Sequence, residues 1–201
     1  MAIDTVVAAQ PLFVADECRA LEITEADVPC LQAFFEANPE YYLAVYGTPP
    51  SPDEARDEFD TAIPPDFHYD RRWLLQFVDS GGAMVAMASV VSDMLAKDVW
   101  HVGLFIIATR LRGTGAASSI YAALEAWMRS RGARWLRLGV VLGNRRAERF
   151  WEKVGYVEVR KRLALPMGAR VNDLRVMAKP LAGGALTDYL ALVARDRPES
   201  P

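Results

Sequence analysis

The stretch Arg110-Leu111-Arg112-Gly113-Thr114-Gly115-Ala116-Ala117 lies between the apolar run 104–108 and the helical pattern 118–131. This order predicts a strand that leads through a glycine turn into a helix. Gly113 and Gly115 have no Cβ, so the turn can curl tightly and bring its N–H groups close to a ligand. The first amides of a helix lack partners within the helix and lie at the positive end of its dipole. The stretch therefore predicts a binding site for a phosphate group.

Two common phosphate sites do not match this glycine turn. A dinucleotide site has the pattern Gly-x-Gly-x-x-Gly and an acidic residue about 20 positions later, but Ser118 stands at the third glycine and the strand predicted at 135–141 ends without an acid. A Walker loop requires a Gly-Lys-Ser/Thr triplet, which is missing here. The stretch does contain Arg/Gln-x-x-Gly-x-Gly/Ala in two overlapping registers, which start at Arg110 and Arg112. Taken alone, this short pattern is also compatible with an ordinary strand-to-helix loop.

A second segment follows about thirty residues later and ends at Tyr156. It has the sequence Asn144-Arg-Arg-Ala-Glu-Arg-Phe-Trp-Glu-Lys-Val-Gly-Tyr156. Together the two segments resemble the motifs of the GNAT N-acetyltransferase superfamily, namely its acyl-CoA loop and its later Asn-x-x-Ala motif, which ends in Lys-x-Gly-Phe/Tyr. The stretch that begins with Asn38-Pro39-Glu40-Tyr41-Tyr42 and continues over 49–58 is similar to one in some bacterial members. The resemblance extends over residues 18–181.

For the fold, the resemblance implies an α/β (α+β) domain with a central mixed, mostly antiparallel sheet of about six or seven strands and helices on both faces. The strands before the glycine turn and before Asn144 form a parallel pair that splays apart around the pantetheine arm. The residue patterns predict strands at 19–23, 73–78, 84–91, 99–108, 135–141, 156–165 and 174–179, and helices at 27–38, 53–62, 118–131 and 144–154. We expect a leader at 1–17, the N-acetyltransferase domain at 18–181 and a tail helix within 182–201.

For the cofactor, the resemblance implies acetyl-CoA. The backbone amides of 112–117 hold the pyrophosphate in this interpretation, with charge added by Arg110 or Arg112, and the backbone of 106–108 pairs with pantetheine. Asn144 can cap its helix and also hydrogen-bond the pantetheine arm. Phe150 and Trp151 either flank the cofactor or belong to the core. The predicted cofactor-binding residues are Ile106, Ile107, Ala108, Arg110, Arg112, Gly113, Thr114, Gly115, Ala116, Ala117, Asn144, Phe150 and Trp151, and no metal site is predicted.

Amide formation requires a neutral amine, whereas a free alkylamine has a pKa near ~10. A general base therefore assists the reaction. His101 is our candidate, because it lies on the strand that leads to the glycine turn, where superfamily members often keep a base, and because histidine titrates in the useful range. The alternative is a structural histidine at the edge of that strand. Weaker candidates are His68, Asp70, Asp98 and the Tyr41-Tyr42 pair.

The departing thiolate often receives a proton from a tyrosine in this superfamily, at the position where this chain has Trp151. An indole N–H can donate a hydrogen bond, but it does not release its proton near neutral pH. Tyr156 is our candidate for a replacement acid, and Tyr121 is a second one. Trp151 is equally consistent with a protein that binds CoA without catalysis.

Composition narrows the functional classes. The chain has 201 residues, 52% of them hydrophobic, and its net charge of −3 argues against nucleic acid as a partner. It contains neither an apolar run of membrane-spanning length nor a signal peptide, and Cys18 and Cys30 match no metal or disulfide pattern, so we expect a cytoplasmic protein with structural cysteines. The acids at 53–60 either attract a cationic amine or face solvent.

The sequence thus predicts an acetyl-CoA-dependent N-acetyltransferase that transfers the acetyl group directly to a primary amine in a ternary complex. The acceptor is a small amine or a peptide or protein amine, and its pocket is expected from 41–69 and the loop at Gly168. The alternative is a non-catalytic acyl-CoA-binding or regulatory module. A homodimer through the last strands or the tail helix stays open, and no membrane partner is expected.

Overall fold

One sheet of eight strands organises the computed structural model, which describes residues 10–200; residues 1–9 of the predicted leader and residue 201 lie outside this range. The strands are β1 (Phe13–Ala15), β2 (Cys18–Glu22), β3 (Arg72–Val78), β4 (Met84–Val91), β5 (Val99–Ile107), β6 (Trp135–Val141), β7 (Val157–Met167) and β8 (Arg170–Pro180). Their order across the sheet is β1-β2-β3-β4-β5-β6-β8-β7, and every neighbouring pair is antiparallel except β5 and β6, which are parallel. The predicted mixed, mostly antiparallel sheet is confirmed. The sheet has one strand more than predicted, namely β1, which lies within the predicted leader.

Helices cover both faces of the sheet. They are α1 (Val28–Ala37), α2 (Glu40–Val45), α3 (Glu54–Asp60), α4 (Ala116–Ser130), α5 (Arg145–Lys153) and α6 (Leu186–Leu192). Residues of α1 and α2 pack with Leu74, Met87 and Leu104 on one face, whereas α4 and Trp151 of α5 pack with Leu75 and residues such as Phe77 and Ala88 on the other. Because both faces are covered, β3 and β4 are almost continuously apolar.

The short helix α2 has no counterpart in the sequence prediction. Asn38 ends α1 as expected, but Pro39 serves as the N-cap of a new helix and Tyr42 and Val45 are buried. Proline is compatible with a helix start, because a missing N–H costs nothing there. Six residues are too few for a helical period to stand out in the sequence, so this element was missed.

The parallel pair opens partway along its length. Paired residues run only from Val99–Trp135 to Val102–Leu138, although both strands continue further. The opening begins where the register between β4 and β5 shifts, and Gly103 is the residue of β5 without a partner there. Such a bulge bends and twists a strand. The splayed pair implied by the resemblance is therefore present, and it leaves a gap between β5 and β6.

The chain after β8 packs against the end of the sheet. Tyr189 and Val193 are buried with Val99 and Trp135, and the turn at 194–196 carries the fully buried Asp196. Within residues 10–200, no helix has the length and apolarity needed to cross a bilayer, and no three His, Cys, Asp or Glu side chains are grouped to hold a metal ion.

Candidate active site

The glycine turn has the backbone conformation that its sequence demands. Gly113 has a φ of +79° and Gly115 a φ of +93°, a region that side chains with a Cβ rarely adopt, and nothing lies within 4 Å of the Cβ that either position lacks. Within residues 10–200, the N–H groups of Gly113, Gly115 and Ala117 make no hydrogen bond. Three free amides thus lie at the start of the 15-residue helix α4. This arrangement fits a phosphate group.

A groove of about 910 Å³, which we call the cofactor groove, runs from this turn along the opening between β5 and β6. It brings together eight of the predicted residues: Ile106, Ile107, Arg112, Gly113, Ala117, Asn144, Phe150 and Trp151. Ala108, Arg110, Thr114, Gly115 and Ala116 belong to the same turn but do not line the groove. The groove also includes Glu40, Tyr41, Ala44, Phe105, Arg146 and Ala147, which the prediction of cofactor-binding residues did not contain.

The two arginines of the glycine turn are in different environments. Arg110 is exposed and its Nη2 lies 3.3 Å from Asp79 at the β3–β4 turn, outside the groove. Arg112 lines the groove, and Glu40 holds it there through contacts of 2.8 and 3.0 Å. Arg112 is therefore the better placed of the two to add charge beside the free amides, and Glu40 is its anchor.

Helix α5 forms the opposite wall of the groove, and it is fixed at both ends. At its start Asn144 accepts a hydrogen bond from the Ala147 N–H at 3.4 Å, so the predicted helix cap is confirmed. Further along, Arg175 of β8 contacts Glu148 at 3.1 Å and Glu152 at 2.9 Å. Because the amide oxygen of Asn144 serves the cap, its NH₂ group is left to donate to a ligand.

A second cavity, which we call the inner cavity, penetrates the sheet beyond the groove. It measures about 400 Å³ and is lined by residues of β5 and β6 together with Tyr41, Phe67 and Met167. Of the segments predicted to form the acceptor pocket, 41–69 contributes Tyr41, Val45, Tyr46 and Phe67 to this lining, whereas Gly168 does not line it. The groove and the inner cavity share Tyr41, Phe105, Asn144, Ala147 and Trp151. A ligand in one space therefore meets a ligand in the other at this junction.

Comparison with known proteins identifies the fold and the family. The model of the acetyltransferase (GNAT) family matches residues 31–156, which include both sequence motifs and most of the residues around the groove. The chain belongs to this family. It is thus a GNAT acetyltransferase, and acetyl-CoA is its acetyl donor. No match was found among curated proteins.

Solved structures of other acetyltransferases share the fold. The Escherichia coli ribosomal-protein-S18-alanine N-acetyltransferase aligns with a TM-score of 0.61 and 18% identity, over 84% of this chain and 96% of its own. An acetyltransferase from Thermus thermophilus aligns with a TM-score of 0.65 and 22% identity, over 84% of this chain and 100% of its own. The spermidine N-acetyltransferase of Vibrio cholerae was solved with CoA and spermine. It aligns with a TM-score of 0.64 and 14% identity, over 82% of this chain and 96% of its own.

The environment of His101 in this acetyltransferase disfavours its predicted role as a base. His101 lines the inner cavity, where burial and the positive charge of Arg137 lower its pKa to about 3. Its Nδ1 lies 3.3 Å from Nη1 of Arg137. A guanidinium can only donate, so Nδ1 accepts and Nε2 carries the proton of the neutral ring. The ring of His101 is consequently neutral near pH 7, and its N–H has the backbone of Arg137 as a partner.

Tyr156, the predicted acid, is enclosed in the core of the acetyltransferase. Its hydroxyl lies 2.6 Å from that of Tyr121, burial raises its pKa well above the ordinary value, and neither tyrosine lines the groove or the inner cavity. Trp151 instead lines both spaces, and its ring packs edge-on to Tyr121 with centroids 5.1 Å apart. This enclosure argues against Tyr156 as the acid, because neither the groove nor the inner cavity reaches its hydroxyl.

None of the acids at 53–60 lines the groove or the inner cavity, and Glu58 is paired with Arg72 while Asp60 is paired with Arg56. Glu54 and Glu58 nevertheless lie close enough to Tyr41 to raise its pKa. Both interpretations left open by the sequence therefore stay predictions. The charged side chains that do line the inner cavity are Arg137, Arg162 and Arg195.

These three arginines of the acetyltransferase are the functional candidates that sequence reasoning missed. Arg137 left one signal, since it is a charge within the apolar run 135–141. A charge in a buried strand requires a partner, but nothing in the sequence indicates that the partner is Asp196, 59 positions away. Arg162 and Arg195 lie in segments with mixed charge and gave no signal.

Proposed function

We propose that this acetyltransferase transfers the acetyl group directly to a primary amine within a ternary complex. The proposal rests on the junction, where five residues line both the cofactor groove and the inner cavity. Neither Cys18 nor Cys30 lines either space, so the described residues offer no thiol there for a covalent acetyl-enzyme. The acceptor amine therefore enters the inner cavity and reacts at the junction.

The inner cavity favours the neutral form of the amine. No Asp or Glu among residues 10–200 lines it, whereas three arginines do. Nearby positive charge and a desolvated environment both lower the pKa of a bound ammonium group. The ammonium loses one proton to solvent on binding, and a strongly basic side chain is not required for this step.

Acetyl-CoA supplies a thioester. Its carbonyl carbon forms a C–N bond with the amine as its C–S bond breaks, and the second proton of the nitrogen neutralises the departing thiolate.

At the junction the chain offers three side chains that donate hydrogen bonds: Tyr41, Asn144 and Trp151. Asn144 is committed in part to its helix cap. Tyr41 carries the hydroxyl of this group, and burial, Glu58 and the hydrogen bond that Tyr41 donates to Tyr46 raise its pKa well above the ordinary value. It therefore stays protonated, and we propose that it turns this hydrogen bond from Tyr46 to the departing thiolate.

Tyr41→Phe removes this donor and retains the ring. We expect kcat to fall by about 10- to 100-fold, which corresponds to a hydrogen bond to a charged group of roughly 1.5–3 kcal/mol. The Kd for CoA should change less than about threefold. The matched control is Tyr42→Phe, because Tyr42 is buried beside Phe35 and lines neither space. Equal effects of the two substitutions on kcat would remove Tyr41 from the mechanism.

The proposed activity is tested by thiol release. The protein is incubated with acetyl-CoA and a panel of small amines and amino-terminal peptides, and free thiol is titrated with a chromogenic disulfide. We expect release that depends on the amine, together with stabilisation by CoA in thermal unfolding. Stabilisation without amine-dependent release over the whole panel would contradict the proposal and favour a non-catalytic acyl-CoA-binding module.

The size of the inner cavity favours a small acceptor. About 400 Å³ lies near the lower end of the range for small-molecule sites, which is roughly 300–1,000 Å³. The structural relatives named above differ in acceptor, since one acts on a ribosomal-protein alanine and another on spermidine. A cytoplasmic location belongs to the same proposal, and the unpaired Cys18 and Cys30 agree with a reducing compartment.

A further inference from the structure

The inner cavity has a cationic end that the transfer chemistry does not use. Arg137, Arg162 and Arg195 line it together with His101. Arg137 is neutralised, because its Nε and Nη2 contact the two carboxylate oxygens of Asp196 at 2.7 and 2.9 Å. The other two arginines have no ion pair with any acid among residues 10–200. One carboxylate, that of Asp196, therefore stands against three guanidinium groups, and the cavity carries an excess of positive charge.

Arg162 is the most unusual member of this group. Its Nε and Nη2 atoms are buried and have no hydrogen-bond partner in the described part of the chain. Burial and the neighbouring guanidinium groups of Arg195 and Arg137 lower its pKa, so keeping this cation charged costs the folded chain free energy. Buried polar atoms are nearly always satisfied in native proteins. Two unsatisfied donors on one guanidinium indicate that a ligand completes the site.

The geometry of a guanidinium selects the ligand. Its adjacent N–H groups match the two oxygens of a carboxylate in a bidentate contact. Arg195 adds charge from its position 4.6 Å from the ring centre of Phe67. All of these groups donate, and none accepts. This end of the cavity therefore fits an anionic group of the ligand and not a cationic one.

We propose that the acceptor is a small amine that also carries a carboxylate, which Arg162 binds while the amine lies at the junction. This inference rests on the proposed transferase function. His101 and Arg137 stand level with each other in the sheet, four positions before Phe105 of the junction. Four strand residues span at most about 13 Å. The amine and the carboxylate of the acceptor are consequently separated by several bonds, as in ω-amino acids.

The first test compares matched acceptors. For ω-amino carboxylates of two to six carbons and their neutral amides, kcat/KM is measured with wild-type protein, Arg162→Gln, Arg162→Lys and Lys161→Gln. We expect the wild type to prefer the acid over its amide by at least 30-fold, Arg162→Gln to lose this preference mainly through KM, and Arg162→Lys to restore part of it. Lys161→Gln removes the same charge from the neighbouring, exposed side chain and should behave as wild type. An equal preference in Arg162→Gln and the wild type overturns the proposal.

The second test does not depend on turnover. Glutarate, a dicarboxylate without an amine, is titrated calorimetrically into each CoA-saturated protein. We expect glutarate to bind the wild type and to bind Arg162→Gln at least 30-fold more weakly, with no loss of thermal stability in the variant, because the substitution removes a buried unpaired cation. Absence of glutarate binding to the wild type, or equal binding to both proteins, refutes the carboxylate site. Glutarate binding without any amine-dependent thiol release would instead retain the site and refute the transferase function.

Discussion

Gly115→Glu should weaken the binding of CoA by more than about 100-fold and leave a folded protein. The missing Cβ of Gly115 faces open space at the start of α4, next to the free amides of Gly113 and Ala117. A carboxylate there lies beside the free amides that we predict to hold the pyrophosphate. Placing like charges against each other costs several kcal/mol, and the left-handed backbone adds a strain of roughly 1–2 kcal/mol for a residue with a side chain. Isothermal calorimetry with CoA measures the affinity.

The opposite end of the same helix provides the control for this substitution. Gly132 has a φ of +102° and no atom within 4 Å of its missing Cβ, so Gly132→Glu introduces a similar strain and the same charge outside the groove. Gly132→Glu should lose somewhat more thermal stability, because its carboxylate lies at the negative end of the helix dipole, and only Gly115→Glu should lose CoA. Gly115→Gln, which carries no charge, should be intermediate in affinity. Unchanged affinity in Gly115→Glu would remove the glycine turn from the cofactor site.

The parts of this molecule that the sequence predicts correctly are those with local signals. The positive φ angles of the turn require Gly113 and Gly115, and the first turn of α5 requires Asn144 as its cap. Each of these requirements can be recognised from a few neighbouring residues of the sequence. The apolar runs of β3 to β6 are visible because helices bury both faces of the sheet. The family resemblance then joins these local signals into one fold.

The arginines of the proposed acceptor site could not be predicted because distant segments bring them together. Arg162 becomes a cavity residue through the pairing of β7 with β8 and through the bulge after Arg162, where the register shifts. Tyr41 reaches the junction on α2, a helix too short to predict. Tyr156 is disfavoured as the acid for the same reason, since its hydrogen bond to Tyr121 depends on how α4 and the end of α5 pack. Residue type suggested each role, but only tertiary placement decides which hydroxyl contacts a ligand.

Asp196→Asn should lower the free energy of unfolding by about 3–5 kcal/mol, because it leaves the guanidinium of Arg137 buried without its counter-charge. Asp196 is fully buried, the side chain of Arg137 is 10% exposed, and the pair makes two hydrogen bonds. Tyr189 donates a third hydrogen bond to the same carboxylate. Urea denaturation measures the loss. The control Glu22→Gln removes the exposed ion pair with Arg71, and such pairs contribute about 0–1 kcal/mol.

The buried pair also predicts how stability depends on pH and on a second substitution. Burial acts to raise the pKa of Asp196, but the hydrogen bonds and charge of Arg137 outweigh it and hold the pKa below its ordinary value. The stabilisation is therefore complete above the unfolded pKa of about 3.9 and is lost as pH falls through the lower folded value. Asp196→Asn should abolish this acid-dependent loss. Arg137→Met added to Asp196→Asn should recover at least half of the lost stability, because the unpaired charge of Arg137 is then removed as well. If Asp196→Asn lowers the free energy of unfolding no more than Glu22→Gln does, water reaches Arg137. Asp196 would then hold in place neither Arg137 nor the cationic end of the inner cavity.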